Sequence, residues 1–335
     1  MLDLALATLT SPPVLFFALG LGAALVRSDL ALPEAVSKGI SLYLVLAIGF
    51  KGGVEMASGA SWAAAGVVLA GIALSATLPL ISFTALRTTT RLGQVDAASI
   101  AAHYGSISIV TFIAARDALT GLGEAASGHM VAVAAAMEAP AILTGLILAG
   151  RVASQAATQP AALSSAATSA PKGNADLARE CLTNGSIMLL LGSFAIGWIT
   201  GERGMVSVEP FVYDIFRGML CLFLLDMGLT AGRGLLKSWR QLRPALLVHG
   251  LMMPAIGASL ALLIGLGLGL SAGDLTLLMT LCASASYIAV PAALKIALPQ
   301  AQLSIPLTLS LGVTFPFNLL VGIPIYIAVA QAVTG

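Results

Sequence analysis

From Pro12 onward the chain returns repeatedly to apolar runs of about 20 residues, the length at which a helix crosses a hydrocarbon core of about 30 Å, and only 9% of its residues are charged. A soluble domain carries about a quarter charged residues. Lipid is therefore the solvent this sequence matches, and the expected class is an all-α polytopic membrane protein. The runs are continuous, without the alternation of apolar and polar residues that marks an outer-membrane barrel. No basic segment precedes the first run, so residues 12 to 27 are expected to be a retained span and not a cleaved signal.

Ten spans are expected, near 12 to 27, 35 to 55, 61 to 86, 96 to 115, 127 to 150, 184 to 200, 209 to 230, 244 to 270, 274 to 296 and 304 to 331. Between the two sets of five, residues 151 to 183 are rich in Ala, Ser, Thr, Gln and Pro, the composition of a flexible linker. This gives a first five-helix repeat over 1 to 150, a cytoplasmic linker over 151 to 183 and a second repeat over 184 to 335. Cytoplasmic loops carry the excess of Lys and Arg. An outward N-terminus puts twelve of the 16 basic residues inside and leaves Lys51, Arg116, Arg203 and Arg217 outside. Both termini then face outward, and five spans per half require the halves to enter the membrane with opposite polarity.

Direct matches between the halves support an inverted repeat. Asp96 and Asp274 open spans four and nine, and ten residues after each stands Ser-X-Ser: Ser106-Ile107-Ser108 and Ser284-Ala285-Ser286. Span two ends in LAIGFKGG and span seven in LDMGLTAG, so that Leu46, Gly49 and Gly53 match Leu225, Gly228 and Gly232. Weak internal symmetry of this kind marks secondary transporters. Small polar clusters halfway along spans four and nine imply two broken helices crossing near the midplane, because an interruption in lipid survives only where it lines a cavity or is buried in protein. Half-helix N-termini with their Ser hydroxyls make an anion cradle, and the unwound carbonyls can bind a hard cation such as Na+. The substrate-binding candidates are Gly105, Ser106, Ile107, Ser108, Ala283, Ser284, Ala285 and Ser286. Ser and Thr that bond back to their own helix give the structural alternative.

A charge in mid-membrane costs at least ~2.5 kcal/mol on insertion scales. Glu138 lies near the middle of span five beside Pro140, and its counterpart in span ten is the segment Val313-Thr314-Phe315-Pro316-Phe317-Asn318. Ser108, Thr111, Glu138, Ser286, Thr314 and Asn318 are the candidate sodium ligands. A proton-carrying or structural Glu138 stays open. Asp226 reads as an ion-pair partner in the region equivalent to Lys51, or as part of the substrate path. Lys51 and Glu55 read as an i to i+4 pair, Asp96 and Asp274 as helix caps, and His103 as a packing residue or a proton gate. Gly20, Gly22 and the glycines near 265 to 269 read as packing residues, since no strand precedes them to make a phosphate loop.

Function classes fall away on the same grounds. The net charge of +1 offers no basic stripe for nucleic acid. Cys181, Cys221 and Cys282 are dispersed, and neither they nor His129 and His249 have metal-ligand spacing, so no transition-metal site is expected. No hydrolase, P-loop or zincin motif is present, so neither enzyme chemistry, a catalytic residue nor a cofactor is expected, and an ion gradient must supply the energy.

In Ser28-Asp29-Leu30, LYLVLAIGFKGGVEM (Leu42 to Met56), AAHYGSISIVTF (Ala101 to Phe112), MEAPAI (Met137 to Ile142) and ASASYIAVPAA (Ala283 to Ala293), the chain resembles the sodium-dependent bicarbonate transporters of the cyanobacterial carbon-concentrating mechanism and their bacterial relatives. The resemblance implies a sodium and bicarbonate symporter of the bacterial inner membrane, with five plus five helices, a mobile core, a trimer-forming scaffold and elevator-like movement. It places the substrate between Gly105 to Ser108 and Ala283 to Ser286, and it implies a PII-like regulatory partner on the cytoplasmic face. Two other readings stay open: sodium- or proton-coupled symport of another small anion such as a monocarboxylate, and a membrane receptor that binds an anion without moving it.

Overall fold

A computed structural model describes residues 10–58, 62–156, 185–238, 242–298 and 300–335. All regular structure among them is helical, which closes backbone hydrogen bonds within each segment as lipid requires. The first half runs α1 (Pro12–Leu25), α2 (Glu34–Ser58), α3 (Trp62–Thr89), α4 (Gln94–Gly105), α5 (Ile109–Gly121), α6 (His129–Ala136) and α7 (Glu138–Ala156). The second runs α8 (Gly185–Glu209), α9 (Phe216–Ser238), α10 (Pro244–Gly267), α11 (Ala272–Ala283), α12 (Ala289–Ala297) and α13 (Ser304–Thr334). Helix α7 carries residues 151 to 156 of the expected linker, whereas the rest of it, with Cys181, lies outside the described residues.

Among the described residues, seven segments are long and apolar enough to cross a membrane: Glu34–Ala57, Ala64–Thr89, Gln94–Gly121, His129–Ala149, Phe216–Lys237, Pro244–Gly267 and Ser304–Thr334. Helices α1 and α11 are apolar but shorter. Helix α8 is kinked at Gly201, where φ 54° and ψ −149° require a residue without a Cβ, and the apolar part of α8 ends there.

Packing sorts the helices into two groups. In the outer group α2 lies along α8 and α9 along α1, with α9 also touching α2. Glycines bring these backbones together, as is usual where lipid provides no hydrophobic drive between helices. Gly49 and Gly53 face Leu190 to Trp198 of α8, and their matched residues Gly228 and Gly232 face Phe17 to Ala24 of α1. In the inner group α3 packs on α4 and α7, α10 on α11, and α11 on α13 and α5. Two ion pairs cross the seam between the groups from adjacent residues of α5: Arg116 to Glu55 on α2, and Asp117 to Arg217 on α9, the latter at 3.3 Å.

Several expectations change at this level. Glu55 is taken by Arg116, whose Nη2 reaches both carboxylate oxygens. The Lys51 ammonium instead lies over the rings of Tyr213 and Phe216, at 4.0 and 4.2 Å from their centroids. Among the described residues no ion pair joins it to Asp226. Gly20 packs against the backbone of Leu225 and Leu229, but Gly22 faces open space, because a helix turns successive residues about 100° apart. Gly265 touches Leu270 and Leu275, Gly267 touches nothing within 4 Å, and Gly269 ends α10 at φ 67°.

Asp96 and Asp274 are not the caps of their helices: Gly93 and Ser271 hold those positions, Ser271 Oγ accepting from the Asp274 N–H at 3.2 Å, and each aspartate sits in the first turn with its carboxylate turned to another loop. The Asp96 carboxylate accepts from the Gln302 N–H at 3.1 Å, in the loop that enters α13. Asp274 accepts from the Ser127 N–H and hydroxyl at 2.6 and 2.7 Å, in the loop that enters α6. Each aspartate thus fixes a loop contributed by the opposite half of the chain.

The glycine contacts are testable. Gly20→Val forces β-branched atoms into the α9 backbone, and overpacking of this kind costs about 1–3 kcal/mol. Thermal unfolding of the detergent-purified protein is expected to show a lowered midpoint for Gly20→Val and an unchanged one for Gly22→Val.

Candidate functional site

Helix α4 ends at Gly105, Ser106 is extended at φ −82° and ψ 164°, and α5 starts at Ile109. In the other half α11 ends at Ala283, Ser284 is extended at φ −84° and ψ 165°, and α12 starts at Ala289. The two non-helical stretches bond to each other. The Ser108 N–H donates to Ser284 Oγ at 2.8 Å, and the Ser286 N–H donates to the His103 carbonyl at 2.8 Å. Ser108 Oγ accepts from the Thr111 N–H at 3.2 Å as the N-cap of α5, and Ser286 Oγ takes the Val290 N–H at 3.4 Å in α12. The Ser284 hydroxyl, having accepted from Ser108, donates to the Leu281 carbonyl at 2.8 Å.

A narrow cavity opens where these stretches meet, lined by Ile107, Ser108, Ile109, Glu138, Ser286, Tyr287 and Ile288. Glu138 reaches it because Met137 forms a turn between α6 and α7, and the Ser75 hydroxyl of α3 holds the Met137 carbonyl. Pro140 removes one further backbone donor just beyond. Glu138 is 9% exposed, and among the described residues no basic side chain lies within ion-pair distance of it. Two hydroxyls close in sequence to the cavity lining, Ser106 Oγ and Thr111 Oγ1, are buried without a hydrogen-bond partner. Buried polar groups are nearly always paired, so orphans of this kind are where a ligand's atoms are to be sought.

A carboxylate and hydroxyls with spare lone pairs form an oxygen set suited to a small hard cation. The N-termini of α5 and α12 carry partial positive charge suited to an anion. The family model of the Na+-dependent bicarbonate transporter superfamily matches residues 12–331. The chain belongs to this superfamily. Among curated proteins none matches it. Membership makes the protein a multi-pass membrane transporter, with sodium as the coupling ion and bicarbonate as the cargo of its superfamily.

Within this transporter the structure brings together Ile107, Ser108, Ser286 and Glu138 on the cavity, with Ser106 and Thr111 as neighbouring orphans. Ser284 and Ala285 are buried on the second stretch, outside the lining. Gly105 lies against Pro79 and Ser75 of α3, and Ala283 gives its carbonyl to Asn318, so both close the ends of helices and do not face the cavity. Thr314 and Asn318 are buried with their polar atoms in contact with Gly250, Tyr104, Ala283 and Tyr326. His103 is fully buried, its Nδ1 donating to the Ser99 carbonyl at 2.7 Å and its Nε2 orphaned.

Sequence reasoning does not reach Ser75 and Tyr326, and it places Tyr287 in the polar cluster of span nine without a role. Tyr326 had a legible signal, since eight residues after Asn318 is about two helical turns on the same face.

The serines divide by what they hold. Ser284→Ala leaves the buried Ser108 N–H without its acceptor, a loss of about 1–3 kcal/mol. Ser106→Ala deletes a hydroxyl that holds nothing. Thermal unfolding without added sodium or bicarbonate is expected to fall for Ser284→Ala and to stay level for Ser106→Ala.

Proposed function

We propose that the protein takes up bicarbonate with sodium across the bacterial inner membrane, using the cavity between the two non-helical stretches as the shared site. The observation that carries this reading is the meeting of both stretches with Glu138, a buried carboxylate that lacks a cationic partner among the described residues. An unpaired carboxylate there repels an anion and attracts a cation, so sodium binds first. Glu138, Thr111, Ser108 and Ser286 are its proposed oxygen donors. Bicarbonate then enters a site whose charge has been cancelled. Its oxygens are taken by the first turns of α5 and α12 and by Ser106, and its proton is left to a carbonyl or hydroxyl of the stretches. Gly105, Ala283, Ser284 and Ala285 shape that cradle. Neutralising the cargo lowers the cost of carrying charge through a low-dielectric barrier, which is the physical basis of coupling.

The wider architecture in this proposal is ten membrane helices as a 5+5 inverted repeat, with both termini outside and broken helices crossing near the midplane. The matched aspartate contacts and the matched glycine seams support it. The inner group of helices is the moving body, and α1, α2, α8 and α9 are the scaffold of a homotrimer. Elevator-like movement then shears the seam where Arg116 meets Glu55 and Asp117 meets Arg217. The basic cytoplasmic face is where a PII-like regulator would dock.

In proteoliposomes, labelled bicarbonate is expected to accumulate only with an inward sodium gradient. Glu138→Gln is expected to raise the sodium concentration needed for half-maximal uptake by about tenfold or more, as loss of a charged ligand worth at least ~1.5 kcal/mol requires. Sodium-independent uptake by the wild type, or sodium dependence unchanged in Glu138→Gln, would remove this reading. Absence of counterflow from bicarbonate-loaded vesicles would point to an anion receptor.

A further inference from the structure

Helix α13 widens from regular winding into π turns at Ser310–Thr314 and Asn318–Gly322, on either side of Pro316. Such turns are rare and concentrate where a helix must present particular groups. Here they bracket two fully buried polar residues one turn apart, Thr314 and Asn318. The Thr314 hydroxyl donates to the Gly250 carbonyl at 2.8 Å, so in its 2.6 Å contact with Tyr104 it is the tyrosine that donates. The Asn318 amide nitrogen donates to the Ala283 carbonyl at 2.8 Å, and its oxygen accepts from the Tyr326 hydroxyl at 2.9 Å.

Both bonds reach the ends of interrupted helices. Tyr104 stands next to Gly105, the last residue of α4, and Ala283 is the last residue of α11. One helix therefore grips both interrupted segments at the point where each leaves its helix. A threonine hydroxyl has one hydrogen and two lone pairs. Gly250 uses the hydrogen and Tyr104 one lone pair. The Asn318 amide is likewise engaged at both ends, and neither residue lies on the cavity lining. As a direct sodium ligand each would have to give up a buried bond to the frame.

We propose that Thr314 and Asn318, set by Tyr104 and Tyr326, are positioning residues that fix the separation of the two non-helical stretches, and through it the affinity for sodium and anion together. The proposal rests on the cavity being the shared cargo site. It also gives the π turns a reason to exist, since they rotate Thr314 and Asn318 so that residues a single turn apart reach α4 and α11 at once.

The test is sodium-driven bicarbonate uptake by Thr314→Val, Thr314→Ser, Asn318→Leu, Tyr104→Phe and Tyr326→Phe in proteoliposomes, with lithium as a second cation. Loss of one such bond is expected to raise the KM for sodium and for bicarbonate in parallel, by about fivefold to tenfold. Sodium preference over lithium is expected to be unchanged, and Thr314→Ser to behave as wild type. A changed cation preference, with bicarbonate KM unaltered at saturating sodium, would make these residues ligands and overturn the proposal. Lowered thermal stability with both KM values unchanged would make them merely structural and overturn it as well. The two tyrosine variants keep the test decisive where Thr314→Val or Asn318→Leu does not fold. Wild-type uptake without sodium dependence sinks the cargo-site reading itself, whereas normal wild-type coupling with KM values unmoved in both tyrosine variants sinks only the positioning role.

Discussion

A helix that stops inside an apolar interior leaves N–H and carbonyl groups that no water can reach, and each one left unpaired costs about 1–3 kcal/mol. Here two such stops are placed side by side and exchange partners. Ser108 gives its N–H to Ser284, and Ser286 gives its N–H to the carbonyl of His103. Asn318 takes the carbonyl that Ala283 would otherwise strand. Each stop is satisfied in part by the other, so the cavity between them follows from backbone satisfaction together with the hold that α13 has on both. The hydroxyls of Ser106 and Thr111 are among the polar atoms left without a partner among the described residues once the frame is complete.

The surrounding helices hold this arrangement by two different means. In the pairs α2 with α8 and α1 with α9, glycines bring backbones to close contact over long stretches, which gives rigid surfaces. Around the stops the fixings are polar and local: Asp96 and Asp274 each clamp a loop from the opposite half, and Ser75 clamps the turn that carries Glu138. Between the two groups lie charge pairs at the end of α5. Partly exposed ion pairs stabilise weakly and exchange with water at little cost. Close packing joins the groups as well, since Gly52 of α2 lies against Val131 of α6.

Much of this was legible in the sequence because lipid makes exceptions conspicuous. A serine pair recurring ten residues after an aspartate stands out, as does a glutamate beside a proline in a run of alanines. The matched glycines of spans two and seven proved to be the contact surfaces of α2 and α9. What could not be read was the destination of each polar atom. Thr314 and Asn318 have the chemistry of cation ligands, but the partners that occupy them, Tyr104 and Gly250, Ala283 and Tyr326, come mostly from elsewhere in the chain. Lys51 and Glu55 are correctly spaced for a pair on one helix. The guanidinium of Arg116 and the rings of Tyr213 and Phe216 outcompete that pairing, and spacing within α2 carries no trace of them. Gly20 and Gly22 differ only in which way the helix turns them.

Pro140 and Pro316 stand in comparable segments of the two halves, but the residues two before them are Glu138 and Thr314. Glu138 reaches the cavity, whereas Thr314 is engaged by Gly250 and Tyr104 away from it. In the proposed mechanism the site is therefore negative when empty and neutral with one sodium bound, so that anion binding becomes favourable only in the second state. Asn318, two residues after Pro316, donates to the Ala283 carbonyl, where a carboxylate would face an oxygen with no proton to offer. On this proposal the dependence of one ion on the other follows from a charge carried by one half only.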